Sequence, residues 1–202
     1  MTRIIGGSAG GRRLKAPAGD RTRPTSDRVR EALFSSLDSD LGSLAGLRFL
    51  DLYAGSGAVG LEARSRGAGV VTLVEQDRRT ASLIRDNLRT LGFNQVEVVA
   101  GAVARVLAGP PRAPYDVVFL DPPYDLGTGD VMAALTALVE HGWLAEGAVV
   151  VVERSTRSGE LDWPRGLAAA RSKRYGETTL WYGHAPEQDH STDPSASPVT
   201  PP

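Results

Sequence analysis

The stretch from residue 48 to residue 60, RFLDLYAGSGAVG, constrains the fold more than any other part of the chain. Its apolar start predicts a short buried strand, and a glycine turn and the start of a helix follow. The spacing of Gly55, Gly57 and Gly60 matches the strand–turn–helix fingerprint of nucleotide-binding folds. Such glycines let a ligand approach the backbone, and the helix start behind them presents free N–H groups. The alternative is a turn that is needed only for packing.

Strands and helices are predicted to alternate after this unit. Apolar runs that predict strands span residues 47–52, 70–74, 95–99, 115–120 and 148–152, with helical spacing between them. Residues 168–174 and 178–182 predict a closing antiparallel pair around Tyr175-Gly176. An alternation of this kind indicates an α/β fold with a mostly parallel sheet that is covered by helices on both faces.

Charge is distributed unevenly along the chain. Residues 1–30 hold eight Arg and Lys against two Asp, a balance of +6, whereas the whole chain has a net charge of −1. We predict a basic N-terminal arm at 1–24 with a glycine-rich hairpin, a main domain at 25–184, and a disordered, proline-rich tail at 185–202. A basic arm on an acidic body is typical of proteins that bind polyanions. A solvated leader without a partner is the alternative.

Composition excludes several classes of protein. The chain has no cysteine, which excludes disulfides, thiolate zinc sites and cysteine nucleophiles. It has no apolar run near the ~20 residues of a membrane span, and its first residues lack the apolar core of a signal peptide. We therefore expect a cytoplasmic protein without a membrane partner.

Two acidic residues bear on the choice of ligand. Glu75 ends the second strand twenty residues after Gly55, where an acid in nucleotide folds binds the ribose hydroxyls. Asp51 precedes the first glycine by four positions, and its carboxylate would repel a pyrophosphate. A cationic ligand such as S-adenosylmethionine would meet no such repulsion. These residues therefore favour that ligand over NAD.

A second motif, Asp121-Pro-Pro-Tyr124, follows the fourth strand and opens on the same edge of the sheet. Two prolines make the turn stiff, so the Asp121 carboxylate and the Pro122 carbonyl are fixed acceptors beside the flat ring of Tyr124. Acceptors beside an aromatic ring suit a planar amine on a nucleobase. The carboxylate also stabilises positive charge that develops on the nitrogen during methyl transfer.

The glycine turn and this tetrapeptide together resemble those of class I S-adenosylmethionine-dependent methyltransferases that act on amino groups. The leader narrows the resemblance to the RsmD family, which methylates the N(2) amine of a guanine in bacterial 16S rRNA. The segments of the leader that carry it are Arg3-Ile-Ile-Gly-Gly7, Gly11-Arg-Arg-Leu14 and TRPTSDRVRE at 22–31. Glu153-Arg154 and Tyr175-Gly-Glu-Thr-Thr179 also fit, and the match runs from about residue 2 to residue 183.

The resemblance implies a Rossmann-like sheet of seven strands, mostly parallel, with an antiparallel C-terminal strand. It also implies a metal-free reaction by a monomeric enzyme on 16S rRNA in the assembling small subunit. The predicted site has three groups of residues: for the cofactor Asp51, Tyr53, Gly55, Gly57, Glu75 and Ala102; for the target base Asp121, Pro122 and Tyr124; and for RNA Arg3, Arg12, Arg13, Lys15, Arg23 and Arg28.

One departure and three alternatives remain. After the third strand, many relatives place an acid near the adenine amine, but this chain has Ala100-Gly-Ala-Val-Ala104, so adenine would be read by backbone near Ala102.

The first alternative function moves the target to an adenine N(6) amine in DNA or RNA. The second is an NAD-dependent oxidoreductase, and the third is a noncatalytic RNA-binding assembly factor.

Overall fold

The computed structural model describes residues 2–17, 27–123 and 126–187. Its main sheet has seven strands in the order β5-β4-β3-β6-β7-β9-β8. These strands are β3 (Arg48–Leu52), β4 (Val70–Glu75), β5 (Val96–Ala100), β6 (Tyr115–Leu120), β7 (Leu144–Ser155), β8 (Ala168–Tyr175) and β9 (Thr178–His184). Strands β3 to β7 are parallel, and β9 runs antiparallel to both of its neighbours. The predicted α/β fold, with one antiparallel strand at the C-terminal end, is confirmed.

Five helices cover the two faces of this sheet. They are α1 (Asp27–Leu41), α2 (Ala58–Ser65), α3 (Arg78–Leu91), α4 (Val103–Val106) and α5 (Thr128–Glu140). Alternate residues of the strands face opposite sides. Phe49 and Phe119 therefore pack with α1, α2 and α3 on one face. Leu50 and Leu120 pack with α4 and α5 on the other.

Local sequence signals explain where several elements begin and end. Asp77 caps α3 by accepting a 2.7 Å hydrogen bond from the Thr80 N–H, and Gly92 closes that helix with φ +71°. Strand β7 is longer than the apolar run at 148–152 predicts, because pairing with β9 continues to Ser155. That extension carries polar residues beyond the end of β6.

The N-terminal segment forms a small hairpin of β1 (Thr2–Arg3) and β2 (Arg13–Leu14), as predicted. Its apolar side, Ile4, Ala9 and Leu14, is buried against Leu61 of α2 and Leu91 of α3. At the other end of the chain, the Ala185 N–H donates to the Ala148 carbonyl at 2.9 Å. The predicted disorder of the tail concerns residues that lie mostly outside the described ones.

Candidate active site

The carboxyl ends of four neighbouring strands place the predicted site residues in one row. Leu52 of β3 pairs with Val74 of β4 and with Leu120 of β6, and Leu120 pairs with Val152 of β7. The residues that follow these along the chain are Tyr53, Glu75, Asp121 and Glu153. Because neighbouring strands lie about 4.8 Å apart, Glu75 and Asp121 are separated by roughly 10 Å of backbone, with β3 between them. The two motifs therefore meet at one edge of the sheet.

The turn after β3 has an unusual backbone. Tyr53, Gly55 and Gly57 all have positive φ, at +63°, +54° and +78°. Tyrosine rarely adopts this conformation, and such strain is concentrated at functional sites. A Cβ on Gly55 would meet no atom within 4 Å, so the turn is open on that side. The turn can therefore admit a ligand against its backbone, as the sequence predicts.

Glu75 is fixed beside this turn by two backbone donors. Its Oε2 accepts from the Gly55 N–H at 2.9 Å, and its Oε1 accepts from the Asp77 N–H at 2.8 Å. The side chain is buried at the end of β4. A carboxylate has about four acceptor positions, so these two bonds orient the group and leave capacity for hydroxyl donors. This geometry fits the predicted role towards a ribose.

Asp51 lies beneath the turn, where its Oδ2 accepts from the Gly60 N–H at 2.8 Å. Burial raises the pKa of this carboxyl to about 7; the Gly60 bond opposes the shift, and the charge of Glu75 adds to it. The side chain is 1% exposed. Its observed contact thus supports the fold of the turn, and contact with the cofactor stays a prediction.

Tyr53 is the first residue of the turn after β3, and Ala102 follows β5, two strands away in the sheet. Tyr53 packs against the core on the α4–α5 face, and burial, with a smaller contribution from Asp130, raises the pKa of its phenol. Ala102 is exposed and precedes α4, and its carbonyl accepts from the N–H groups of Arg105 and Val106. Only its N–H side remains for a ligand such as adenine, since the carbonyl is used by the helix.

Asp121 and Pro122 line a shallow, solvent-open cleft on the β7 side of the row. The end of β7 forms its other wall, through Glu153, Arg154 and Ser155. The stiff Pro-Pro turn therefore borders a space on the side of β7, and its role towards a target base stays a prediction. Tyr124, the third residue predicted for the target base, lies outside the described residues.

The basic arm is docked on the body through a buried carboxylate that the sequence analysis missed. The Oε2 and Oε1 atoms of Glu62 accept from the N–H groups of Ile5 and Gly6, both at 2.7 Å, and Arg66 Nε donates to Oε1 at 2.9 Å. A Cβ on Gly7 would lie 2.0 Å from the Ser65 carbonyl oxygen, so only glycine permits this approach.

The residues predicted to bind RNA differ in how they are held. Arg12, Arg13 and Arg28 are all exposed. Arg12 also donates hydrogen bonds to the carbonyls of Thr90 and Leu91 at the end of α3. Arg3 lies 3.5 Å from Asp27, and Lys15 lies 3.8 Å from Asp86. Arg23 lies outside the described residues.

The sequence analysis misjudged the exposure of Arg30 and assigned no role to Glu153. Arg30 counts towards the basic leader, yet it is fully buried and donates to the Arg3 carbonyl and to Asp27. Burial lowers its pKa. Glu153 received no role, although it lines the cleft. Its sequence signals were the fit of Glu153-Arg154 to the family resemblance and its position directly after the apolar run at 148–152.

Neither a metal site nor a membrane span is found in the described part of the chain. No group of three or more His, Asp or Glu residues there is arranged to hold a metal ion. None of its helices has both the length and the apolar character that crossing a bilayer requires.

Comparisons with known proteins identify relatives over nearly the whole chain. The model of the family described as "Conserved hypothetical protein 95" matches residues 2–184. The ribosomal RNA small subunit methyltransferase D of Escherichia coli is 38% identical over 175 residues, which cover 87% of this chain and 85% of that protein. The solved structure of yhhF from Escherichia coli aligns with a TM-score of 0.81 and 34% identity, and covers 93% of this chain and 99% of that one.

A more distant solved structure shows the fold alone. Magnesium protoporphyrin IX methyltransferase from Synechocystis, solved with bound S-adenosylmethionine, aligns with a TM-score of 0.61 and 17% identity. It covers 78% of each chain. The sheet described above is therefore shared with an enzyme that binds this methyl donor.

Proposed function

The chain belongs to the RsmD family of S-adenosylmethionine-dependent rRNA methyltransferases, and we propose that it methylates the N(2) amine of a guanine in 16S rRNA. The observation that carries the proposal is the row at the carboxyl edge of the sheet. There the open glycine turn and Glu75, the acid suited to ribose hydroxyls, lie on one side. Asp121 and Pro122, the acceptors suited to an amine, lie no more than two strand spacings away.

The residues of the turn fit the methyl donor. Gly55 gives an open backbone, Gly57 lets the turn pack closely on Ile84 and Leu73, and Glu75 presents an oriented carboxylate to ribose hydroxyls. Tyr53 would flank the methionine part, and the Ala102 N–H would face adenine. The bound donor supplies a methyl group on a sulfonium.

The chemistry left to the protein is to hold and prepare the amine. An exocyclic amine is a poor nucleophile because its lone pair is delocalised into the ring. Hydrogen bonds from the amine to the Asp121 carboxylate and the Pro122 carbonyl draw the nitrogen towards tetrahedral geometry. The Asp121 carboxylate also stabilises the positive charge that develops there. The remaining contribution is alignment, which the stiff Pro-Pro turn favours.

The base must leave its stack to reach this cleft. Extrusion costs a few kcal/mol, and stacking on an aromatic ring such as Tyr124 returns about 1–3 kcal/mol. Phosphate contacts from the arm and the start of α1, through Arg3, Arg12, Arg13, Lys15, Arg23 and Arg28, would supply much of the remainder.

Three finer features belong to the same proposal. The substrate is the small subunit during assembly, the enzyme acts as a monomer, and the reaction takes place in the cytoplasm, where rRNA is assembled. The family relation to an rRNA small subunit methyltransferase supports the first. Light scattering of the purified chain tests the second, and a mass of twice 21.4 kDa would contradict it.

The decisive experiment identifies the product. Small subunits from a strain that lacks the gene are incubated with the enzyme and S-adenosylmethionine, digested to nucleosides and analysed by mass spectrometry. We expect one N(2)-methylguanosine to appear. N(6)-methyladenosine instead would establish the adenine alternative, and no methylated nucleoside would favour a noncatalytic assembly factor.

A further inference from the structure

The target cleft contains a second carboxylate, Glu153, beside the one that the amine needs. Glu153 follows Val152, which pairs with Leu120, and Asp121 follows Leu120. The two acids therefore stand on neighbouring parallel strands, about 4.8 Å apart along the backbone. Both line the same cleft.

The backbone at Glu153 is held firmly. Strand β7 continues past the end of β6, and Glu153 pairs there with Leu180 of β9, which is fully buried. The Glu153 residue itself is 8% exposed. A side chain on a paired strand is placed more precisely than one on a loop. Glu153 is thus a fixed feature of the cleft wall.

Its neighbour in the chain faces another way. Successive residues of a strand point to opposite faces, and Arg154 Nη2 donates to Thr128 Oγ1 of α5 at 3.3 Å. Glu153 consequently shares the face of the sheet that Asp121 takes after Leu120. This alternation places the two carboxylates on the same face of the sheet, although Arg154 also lines the cleft.

The hydrogen-bond donors on the edge of a guanine base suit a carboxylate at the position of Glu153. In guanine, the N(2) amine is adjacent to N1–H, so two kinds of donor stand side by side. In adenine, N1 is an acceptor, and its lone pair would repel a carboxylate. A pair of neighbouring carboxylates therefore matches guanine and opposes adenine. Sites that hydrogen-bond a particular donor reject analogues that lack it, because buried polar groups are then left unpaired.

We propose that Glu153 accepts a hydrogen bond from N1–H of the target guanine and so determines which base is methylated. This inference rests on the proposed function, in which Asp121 and Pro122 hold the N(2) amine. Glu153 acts on base choice, and it takes no part in the proton or methyl transfer itself.

The test uses 2,6-diaminopurine, which keeps the N(2) amine but has an acceptor at N1. Small subunits are assembled with 16S rRNA that carries guanine or 2,6-diaminopurine at the position that the wild type methylates, and kcat/KM is measured for each. We expect the wild type to favour guanine by about 10- to 100-fold. Equal rates on both bases would overturn the inference without any mutant.

The variant Glu153→Gln sharpens the result, because its amide can turn to donate to an acceptor at N1. We expect its preference for guanine over 2,6-diaminopurine to fall at least tenfold. Glu160→Gln, the same change at an exposed position, should keep the wild-type preference. A Glu153→Gln variant that binds S-adenosylhomocysteine normally and keeps the full preference would overturn the inference.

Failure of the proposed function would look different. In that case the wild type would leave guanine unmethylated in every particle, whereas failure of the base-reading inference leaves guanine methylation by the wild type intact.

Discussion

Two regions of the molecule are held by a glutamate that accepts two backbone N–H groups, and they differ in what surrounds it. At the arm junction, Glu62 binds the N–H groups of Ile5 and Gly6 and also pairs with Arg66. At the sheet edge, Glu75 binds those of Gly55 and Asp77. Among the described residues, no Lys or Arg forms an ion pair with Glu75.

The difference separates a structural site from a ligand site. Glu62 is fully buried, and its charge is balanced inside the protein. Glu75 stands at the carboxyl ends of the strands, beside an open turn, with its charge not balanced by a described cation. Buried charges in proteins are normally paired. An oriented carboxylate at the sheet edge is therefore available to a ligand, whereas the one at the arm junction is already used.

The largest expected effect comes from the cleft. Asp121→Ala should reduce single-turnover methylation by about 10³-fold or more, because the developing charge on the amine loses its carboxylate. Binding of S-adenosylhomocysteine, measured by calorimetry, should remain within about twofold. Asp162→Ala, which removes an exposed carboxylate, serves as the control and should leave the rate unchanged. Turnover near the wild-type rate in Asp121→Ala would refute its role.

A substitution at the arm junction should lower stability and leave ligand binding unchanged. Glu62→Ala leaves two backbone donors without their acceptor and leaves Arg66 with only Asp38 as a carboxylate partner, and losing one member of a buried pair costs about 3–5 kcal/mol. We expect the free energy of unfolding, measured in urea, to fall by this amount. In whatever fraction remains folded, affinity for S-adenosylhomocysteine should be unchanged. A stability loss below about 1 kcal/mol would show that the junction contributes little.

Asp51 lies under the glycine turn at the sheet edge and makes the stability of this region depend on pH. Its pKa is raised from 3.8 to about 7 in the folded state, so its contribution to stability is complete below pH about 4 and is lost as the pH rises through 7. The loss is roughly 4 kcal/mol at most. Asp51→Asn keeps an acceptor for the Gly60 N–H and cannot ionise. Relative to the wild type, this variant should therefore become more stable between pH 4 and pH 7.

Urea unfolding of both proteins at several pH values measures this difference. A constant gap between the two across that pH range would mean that Asp51 has an ordinary pKa.

The sequence predicted the sheet edge much better than the arm junction, and the reason is physical. Glu75 and Asp121 each follow an apolar strand, and parallel strands bring their ends together whatever the remaining contacts are. Glu62 reaches Ile5 across 57 positions of sequence, and nothing in a local pattern marks it as buried. The same holds for Arg30, which the charge count placed on the surface although it is buried beneath the arm. Asp51 is close to the turn in sequence, but the direction of its side chain depends on how the core packs.

The smallest effects belong to the charges on the arm, where two adjacent arginines form a matched pair. Arg13 is exposed, so Arg13→Ala should weaken RNA binding a few-fold, reduce the salt slope by about 1, and change stability by less than about 0.5 kcal/mol. Arg12 binds the carbonyls that end α3, and Arg12→Ala should also cost about 0.3–1 kcal/mol of stability. Filter binding at several salt concentrations, alongside urea unfolding, separates the two roles. With Arg12, Arg13 and Lys15 replaced together, an unchanged salt slope would show that RNA lies on another face.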